Sequence, residues 1–287
     1  MAAITKTSFV DQYLKRLQYS GPVLPNLQTL QLLHHRHMLM IPFENLSNIQ
    51  NEEYANTKDE LFEKIIQGRR GGVCFELNSL FAFLLRDLGF DVTIVGAAVY
   101  LEISNTFTPP NSHQVSIVTL EGEQWLADVG FGDGFTVPLR LVEDEIQDGG
   151  GGFHRLKRVC DEDNVERLAL ESQGNNEVQI YFGAEQLIKN DCSEWLCKYK
   201  FTTKPCSLSD FSDSKTWILA NPDSPLNKGF VCSALRPWGR MTLTGSGKLI
   251  RTYIENKKVV KRDVEVLQNR EDVWLTLEKE FGVTNNR

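Results

Sequence analysis

One ten-residue stretch constrains this chain more than any other, because it joins a glycine turn to a strongly patterned helix. The stretch is 69–78, Arg-Arg-Gly-Gly-Val-Cys-Phe-Glu-Leu-Asn. After Cys74, apolar residues recur with the i, i+3, i+4, i+7 spacing of one helix face, at Leu77, Leu80, Phe81, Leu84, Leu85 and Leu88. Gly89 follows and is suited to end the helix in the left-handed conformation. The sequence therefore predicts a helix over 74–88 that begins at Cys74.

This position of Cys74 favours a reactive thiolate. The N–H groups of the first turn have no intrahelical acceptor, and the positive end of the helix dipole lies there, so both stabilise an anion. Gly71 and Gly72 let backbone come close to the sulfur, because they have no Cβ. The alternative is a buried structural cysteine, which is the default for a cysteine taken alone. The two glycines and the start of the helix favour a nucleophile.

A cysteine nucleophile needs a base, and the base needs a group that orients it. Of the five histidines, His113 alone opens a segment with strand character, because 114–120 is rich in β-branched residues. A turn at 121–123 follows, and then a second strand over 125–131. The two segments predict a β-hairpin with His113 at the start of its first strand.

The geometry of this hairpin relates His113 to Asp128. If residues 121 and 122 form a two-residue loop, His113 lies opposite Gly130, and Asp128 is its diagonal neighbour on the same face. A four-residue loop keeps the pair on one face but further apart, and a three-residue loop separates them. We expect Gly130 to leave open space above the imidazole. Asp128 alone is more typical of an exposed or turn-capping carboxylate, but with His113 it indicates an imidazole held in one tautomer.

Four motifs follow one another between residues 42 and 132, within a resemblance that covers essentially the whole chain. They are Pro42-Phe43-Glu44-Asn45-Leu46, Arg70-Gly71-Gly72-Val73-Cys74-Phe75-Glu76-Leu77-Asn78, a histidine near a strand start, and Asp128-Val129-Gly130-Phe131-Gly132. In order, spacing and chain length they resemble the arylamine N-acetyltransferases. The Arg-Gly-Gly-x-Cys-x-Glu-Leu-Asn string is highly specific, whereas Pro-Phe-Glu-Asn alone would be moderate evidence.

The resemblance implies a catalytic triad of Cys74, His113 and Asp128 and a ping-pong reaction. The thiolate attacks the thioester of acetyl-coenzyme A, the co-substrate, and gives an acetyl-cysteine and free coenzyme A. An arylamine, an arylhydrazine or an N-hydroxyarylamine then takes the acetyl group. A weakly basic aromatic amine is unprotonated at neutral pH, so such acceptors suit a modest general base.

The resemblance also implies the groups that surround the reacting atoms. Backbone N–H groups of Cys74 and Ser112 are the expected oxyanion donors. Phe43, Phe131 and Gly132 match family positions near the acceptor, and the two rings offer faces for stacking.

The implied fold is α+β, with an N-terminal helical bundle, a central β-barrel, a C-terminal α/β lid and a papain-like Cys-His-Asp core. The residue pattern agrees, because the first ~90 residues have helical periodicity and strands begin at Asp91. The expected regions are 1–90 with the cysteine, 91–206 with the histidine and aspartate, and 207–287 as the lid.

Composition limits the binding partners and the cellular location that we expect for this protein. The net charge of −7 argues against nucleic acid or an anionic membrane as the main partner. No run of eighteen apolar residues and no signal-like N-terminus occur, so we expect a cytoplasmic protein. As to assembly, we expect a monomer or a weak homodimer. The spacing of Cys192, Cys197 and Cys206 fits no common zinc pattern, so no metal is expected.

The remaining histidines and tryptophans are expected to be structural. His34, His35 and His37 lie on a predicted helix, where partial exposure is the default. His154 begins a basic strand that we expect at a solvated sheet edge. Core or lid packing is expected for four tryptophans, Trp195, Trp217, Trp238 and Trp274.

Two rival functions stay open from the sequence. A cysteine on a helix and a histidine on a sheet also resemble the papain and transglutaminase layout, so one rival is a thiol hydrolase or an amide-forming transferase. The other is an inactive relative that binds coenzyme A or a small aromatic ligand.

Overall fold

The structure of the protein, a computed structural model, describes residues 8–102, 104–161, 164–173, 195–222 and 224–284. The α-helices in these ranges are α1 Phe9–Arg16, α2 Leu27–Met40, α3 Leu46–Ile49, α4 Lys58–Leu61, α5 Cys74–Asp87, α6 Ser212–Ala220 and α7 Arg270–Phe281. A π-helical turn, Phe62–Gln67, continues α4, and 3₁₀ turns lie at Leu208–Phe211 and Pro225–Asn227.

The strands in the same ranges are β1 Phe43–Glu44, β2 Asp91–Leu101, β3 Thr106–Phe107, β4 His113–Leu120, β5 Glu123–Ala127, β6 Leu139–Arg140, β7 Gln147–Asp148, β8 Phe153–Cys160, β9 Glu166–Gln173, β10 Leu196–Phe201, β11 Val231–Arg236, β12 Gly239–Thr244, β13 Lys248–Glu255 and β14 Lys258–Val266.

The helix predicted to carry the cysteine is present and begins where the sequence placed it. Helix α5 starts at Cys74, and Gly89 beyond its end has a φ of 87°. A glycine in this left-handed conformation ends a helix without a Cβ clash. The apolar face of α5 is fully buried, with Leu77, Leu80 and Leu84 each at 0% exposure. The sequence pattern and the fold agree here because the whole signal is local.

The central sheet curves into a nearly closed barrel, which confirms the predicted architecture. Its strand order is β6-β5-β4-β2-β10-β9-β8-β7, with β3 paired to β2. The side-chain amide of Gln147 on β7 accepts from the N–H of Arg140 on β6 (2.7 Å) and donates to its carbonyl (2.8 Å). This amide takes the place of a backbone peptide and joins the two end strands.

The hairpin of β4 and β5 has the shortest of the three loops considered. Leu120 pairs with Glu123, and the loop residues at 121 and 122 have φ values of 51° and 84°. Two positive φ angles are typical of the type I′ turn that connects tightly twisted strands. The two-residue loop is therefore confirmed, and it puts His113 and Asp128 on one face of the sheet.

The C-terminal sheet includes a strand from the N-terminal region. Its order is β1-β11-β12-β13-β14, and Phe43 of β1 pairs with Ser233 of β11. One apolar cluster joins Leu46 to Leu277 and Phe281 of α7. The division into three domains, 1–90, 91–206 and 207–287, stays a prediction. Strand β1 lies within 1–90 by sequence, but it pairs with the sheet of 207–287.

The expected solvated edge at His154 was wrong. Strand β8 pairs with β7 on one side and β9 on the other, and His154 is 6% exposed. Its ring contacts that of Phe135 edge-on, with centroids 5.8 Å apart. His154 and the fully buried Leu156 are two residues apart and therefore lie on the same face of the strand. This alternation of side chains along β8, and not the basic neighbours, determines the burial of His154.

The glycine turn before α5 packs directly against β1. The N–H of Glu44 donates to the carbonyl of Gly72 (3.0 Å). A Cβ on Gly71 would lie 2.1 Å from the backbone oxygen of Pro42 and 2.8 Å from Cγ of Glu44. No relaxation of a flexible side chain removes the first clash, because its partner is backbone.

We expect Gly71→Ala to lower the free energy of unfolding by about 3 kcal/mol, the upper end of overpacking costs. Gly229→Ala is the matched control, because nothing lies within 4 Å of a Cβ built there. Urea unfolding of the two variants beside the wild type measures the difference. Equal stability of both variants would show that the turn can move away from β1.

Candidate active site

Cys74 lies at the N-terminus of α5, and Glu76 holds that end of the helix in place. The Glu76 side chain is fully buried and accepts from the N–H groups of Val73 (3.2 Å) and Ala55 (3.0 Å). Its charge is balanced by Lys64, 2.7 Å away. The thiol itself is buried, and the Cys74 N–H belongs to the first-turn donors that lack an intrahelical acceptor.

An ion pair between Arg70 and the buried Glu44 holds the glycine turn that precedes Cys74. Arg70 donates from Nε to Oε1 of Glu44 (2.9 Å) and from Nη2 to Oε2 (3.3 Å). The N–H of Leu46 also donates to Oε2, at 2.6 Å. Burial alone would raise the pKa of Glu44, but the charges of Arg70 and Lys64 outweigh it and hold the pKa below its usual value. The carboxylate is ionised, and it ties the glycine turn to β1.

His113 and Asp128 form a buried pair beside Cys74. His113 Nε2 lies 2.8 Å from Oδ2 of Asp128, and both side chains are at most 3% exposed. Cys74 is the second hydrogen-bonding partner of the ring. Burial opposes a charged ring, but the Asp128 carboxylate and Cys74 outweigh it and raise the pKa of His113 to about 10. The ring is an imidazolium at neutral pH, held between a carboxylate and the sulfur.

An apolar pocket of about 90 Å³ opens onto this group. Its lining comes from all three parts of the chain: Phe43, Cys74, Val99, Leu101, Thr108, Ser112, His113, Gly130, Phe131, Trp217, Ile218, Ser224 and Leu226. The predicted aromatic residues Phe43 and Phe131 are among them. Gly132 packs against the ring of Phe43, because a Cβ built on Gly132 would lie 3.4 Å from that ring. Trp217, expected in core or lid packing, lines the pocket through α6.

Comparisons with known proteins agree with this geometry. A family model described as N-acetyltransferase matches residues 26–286. The arylamine N-acetyltransferase of Escherichia coli (strain K12) is 31% identical over 281 residues, covering 96% of this chain and 89% of that protein. The chain belongs to the arylamine N-acetyltransferase family.

Solved structures of family members have the same fold. The arylamine N-acetyltransferase from Salmonella typhimurium gives a TM-score of 0.81 at 29% identity, over 96% of this chain and 92% of that one. The enzyme of Mycobacterium marinum in complex with CoA gives 0.79 at 26% identity, over 96% and 92%.

Asn78 of the family motif connects α5 to the hairpin, a role that the sequence analysis did not assign. Its Nδ2 donates to Oδ1 of Asp128 (2.9 Å) and to the carbonyl of Gln114 (2.6 Å), and its Oδ1 accepts from the N–H of Val129 (2.8 Å). The signal was available, because Asn78 follows Cys74 by four residues and so shares its helix face. Asn78 positions Asp128, which positions the imidazole.

The expected open space above the imidazole at Gly130 was wrong. A Cβ on Gly130 would lie 2.8 Å from both Cα of Cys74 and Nδ2 of Asn78. Helix α5 therefore occupies that volume. Gly130 also donates its N–H to Oδ1 of Asp128 (2.9 Å). The glycine lets the helix start approach the end of β5, which brings the thiol to the ring.

The expected partial exposure of the α2 histidines was also wrong for His34 and His37, which are both fully buried. His34 Nε2 accepts from the N–H of Asp128 (3.2 Å), and its Nδ1 lies 3.1 Å from the carbonyl of Thr136. Burial lowers the pKa of His34 to about 4, so the ring is neutral, with Nδ1 as donor. The spacing of His34 and His37 with Leu30 and Leu33 marked this face of the helix as buried.

The two expected oxyanion donors, the N–H groups of Cys74 and Ser112, differ in whether they are free to bind an oxyanion. Ser112 presents its carbonyl to Cys74, with the sulfur 4.0 Å from that oxygen, and its N–H donates to the carbonyl of Pro109 (3.2 Å). The Ser112 amide would have to leave this turn before it could bind an oxyanion. The Cys74 N–H needs no such change. Both assignments stay predictions, and the geometry favours Cys74.

Within the described ranges, no group of three His, Cys, Asp or Glu residues is arranged to hold a metal ion. Of the three cysteines whose spacing fits no zinc pattern, Cys192 lies outside the described residues, and Cys197 and Cys206 are free thiols. Across the same ranges, no helix is long and apolar enough to cross a membrane.

We expect Asp128→Asn to lower the rate of acetyl transfer by roughly 10²–10⁴-fold, because an amide neither stabilises the imidazolium nor selects its tautomer. Asp59→Asn, an exposed aspartate on α4, is the matched control. The measurement is the rate of arylamine acetylation with acetyl-coenzyme A, with circular dichroism to confirm folding. A folded Asp128→Asn protein of wild-type rate would contradict the assignment.

The pKa of His113 also predicts a pH dependence of stability. The native ring keeps its proton up to a pH of about 10, whereas the unfolded chain loses it near pH 6.5. Between these values His113 binds more protons in the native state than in the unfolded chain, so its own contribution to the free energy of unfolding falls as pH rises. The stabilisation is complete below pH 6.5 and is lost as the pH passes about 10. Urea unfolding from about pH 6.5 to 9.5 should give a shallower fall for His113→Gln; parallel curves would contradict it.

Proposed function

We propose that the protein transfers an acetyl group from acetyl-coenzyme A to the nitrogen of arylamines and arylhydrazines, or to the oxygen of N-hydroxyarylamines. The intermediate is acetyl-Cys74, so the reaction is ping-pong. The observation that carries the proposal is the buried group of Cys74, His113 and Asp128 at the floor of an aromatic-lined pocket. Membership of the arylamine N-acetyltransferase family supports the choice of donor and acceptor.

In the first half-reaction the sulfur of Cys74 attacks the thioester carbonyl of the donor. The imidazolium of His113 stabilises the thiolate before attack and protonates the departing coenzyme A sulfur. The negative oxygen of the tetrahedral intermediate lies at the start of α5, where the Cys74 N–H and the helix dipole favour negative charge. One thioester replaces another, so the step is nearly isoenergetic.

In the second half-reaction the acceptor nitrogen attacks the acetyl-cysteine carbonyl. Release of the sulfur re-forms the thiolate, and the now neutral His113 takes the proton that the amine loses. The faces of Phe43, Phe131 and Trp217 line the pocket and suit a planar aromatic ring. The apolar lining also excludes water, which protects the acetyl-cysteine from hydrolysis.

The test is intact-protein mass spectrometry after mixing with acetyl-coenzyme A and no acceptor. We expect the wild type to gain one acetyl group, and addition of a simple arylamine such as aniline to remove it. Cys74→Ala should gain none. Cys160→Ala is the matched control, because it removes an exposed thiol and should acetylate as the wild type does.

Other outcomes separate the rival functions. An acetyl group retained in Cys74→Ala would contradict the assigned nucleophile. Hydrolysis of peptide substrates without coenzyme A would favour the thiol hydrolase. Binding of coenzyme A without any adduct would favour the inactive relative.

A further inference from the structure

A second cavity, separate from the pocket at Cys74, lies between the barrel and the C-terminal sheet. Its volume is about 50 Å³. Residues of both units line it, among them Asp133, Thr136, His154, Lys198, Gly239 and Arg240. At about 10–15 Å³ for each water, it has room for a few waters or for one phosphate-sized anion.

Lys198 is the unusual residue of this cavity. It is 3% exposed on β10, and in the described ranges it makes no hydrogen bond or salt bridge. Burying an ammonium without a partner costs several kcal/mol in general, so native proteins pair such groups or give them an anion. Neither a carboxylate nor a backbone carbonyl of the described chain lies within bonding distance of it.

The other charges of the cavity do not balance Lys198. Arg240 donates to the carbonyl of Gly132, and its Nε lies 3.6 Å from Oδ1 of Asp133. Lys198 and Arg240 both act on the Asp133 carboxylate, which is half-buried. Among the described residues of the lining, two cations therefore share one carboxylate, and one positive charge remains.

Neutral groups complete the lining. Thr136 borders the cavity and already donates its hydroxyl to the carbonyl of Gly149 (3.3 Å), and the ring of His154 borders it with a buried Nδ1 that has no hydrogen-bond partner in the described ranges. Burial lowers the pKa of His154 to about 4, so at neutral pH the ring adds no charge and can offer an N–H. Backbone of Gly151 and Gly152 lies on the same side.

We propose that this cavity binds one phosphate-sized oxyanion, with Lys198 as its principal partner and Arg240 as a second cation. The ligand chemistry is a tetrahedral dianion or monoanion. Free phosphate or sulfate is one source, and a phosphate group of a larger molecule is the other. The proposal does not depend on acetyl transfer, because no residue of the triad lines the cavity.

The test is a titration with inorganic phosphate at constant ionic strength in a phosphate-free buffer, followed by thermal unfolding and by calorimetry. The probe for the second source is coenzyme A added to phosphate-saturated protein. We expect the Tm of the wild type to rise by about 2–4 °C for each tenfold increase in phosphate above the dissociation constant. Phosphate displaced by coenzyme A would assign the site to the donor's phosphates, and additive binding would assign it to a free anion.

Lys198→Met removes the charge but keeps most of the side-chain volume, and Lys258→Met, at an exposed position on β14, is the matched control. We expect Lys198→Met to lose the phosphate response and Lys258→Met to keep it. Without phosphate, Lys198→Met should be at least as stable as the wild type, because it removes an unpaired buried charge. A merely structural lysine would instead destabilise the protein when replaced. No phosphate response in the wild type, or equal responses in wild type and Lys198→Met, would overturn the proposal.

Discussion

The rest of the site depends on one buried carboxylate. Asp128 is 1% exposed, and burial on its own raises the free energy of the charged form. The structure compensates by directing donors to it from separate elements: His113 on β4, Asn78 on α5 and the N–H of Gly130. Together they lower the pKa of Asp128 despite burial. The charge then keeps His113 protonated beside the sulfur of Cys74.

Contacts around Asp128 and His113 connect the hairpin to three further elements, α2, α5 and β10. His34 of α2 accepts from the backbone N–H of Asp128, and Asn78 joins α5 to the adjacent turn. Tyr199 of β10 covers the imidazole with its ring, 5.2 Å between centroids. Its buried hydroxyl has no hydrogen-bond partner in the described ranges, and burial and Asp128 together raise the pKa of Tyr199 well above its usual value. Hydrogen bonds at this density, in a dry interior, specify one arrangement because few others would satisfy as many polar groups.

The sequence predicted what local rules determine and missed what distant contacts determine. The start of α5 follows from helix periodicity. Hairpin geometry related His113 to Asp128 for each of three loop lengths, and the structure selects the loop of two residues. The burial of His34 and of His154 was missed although local spacing indicated it, because both were judged by the usual exposure of polar residues. His34 shares its helix face with Leu30 and Leu33, and His154 shares its strand face with Leu156. Gly130 was recognised as special for the wrong reason, because its neighbour is the helix of Cys74, more than fifty residues away by sequence. The family motif includes Asn78, but the sequence did not show which residues Asn78 bonds.

The short strand β1 has a consequence for how the molecule is made. Residues 42–46 lie between the glycine turn before Cys74 and strand β11, so their hydrogen bonds to Val231 close only when that distant residue is present. At ribosomal rates of about 5–20 residues per second, roughly 10–40 s separate synthesis of the two segments. During that interval the nascent chain carries Cys74 without the finished pocket around it. Trp217, Ile218 and Leu226 of the pocket lining are made in the same interval, so the cover of the Cys74 sulfur is completed only late in synthesis.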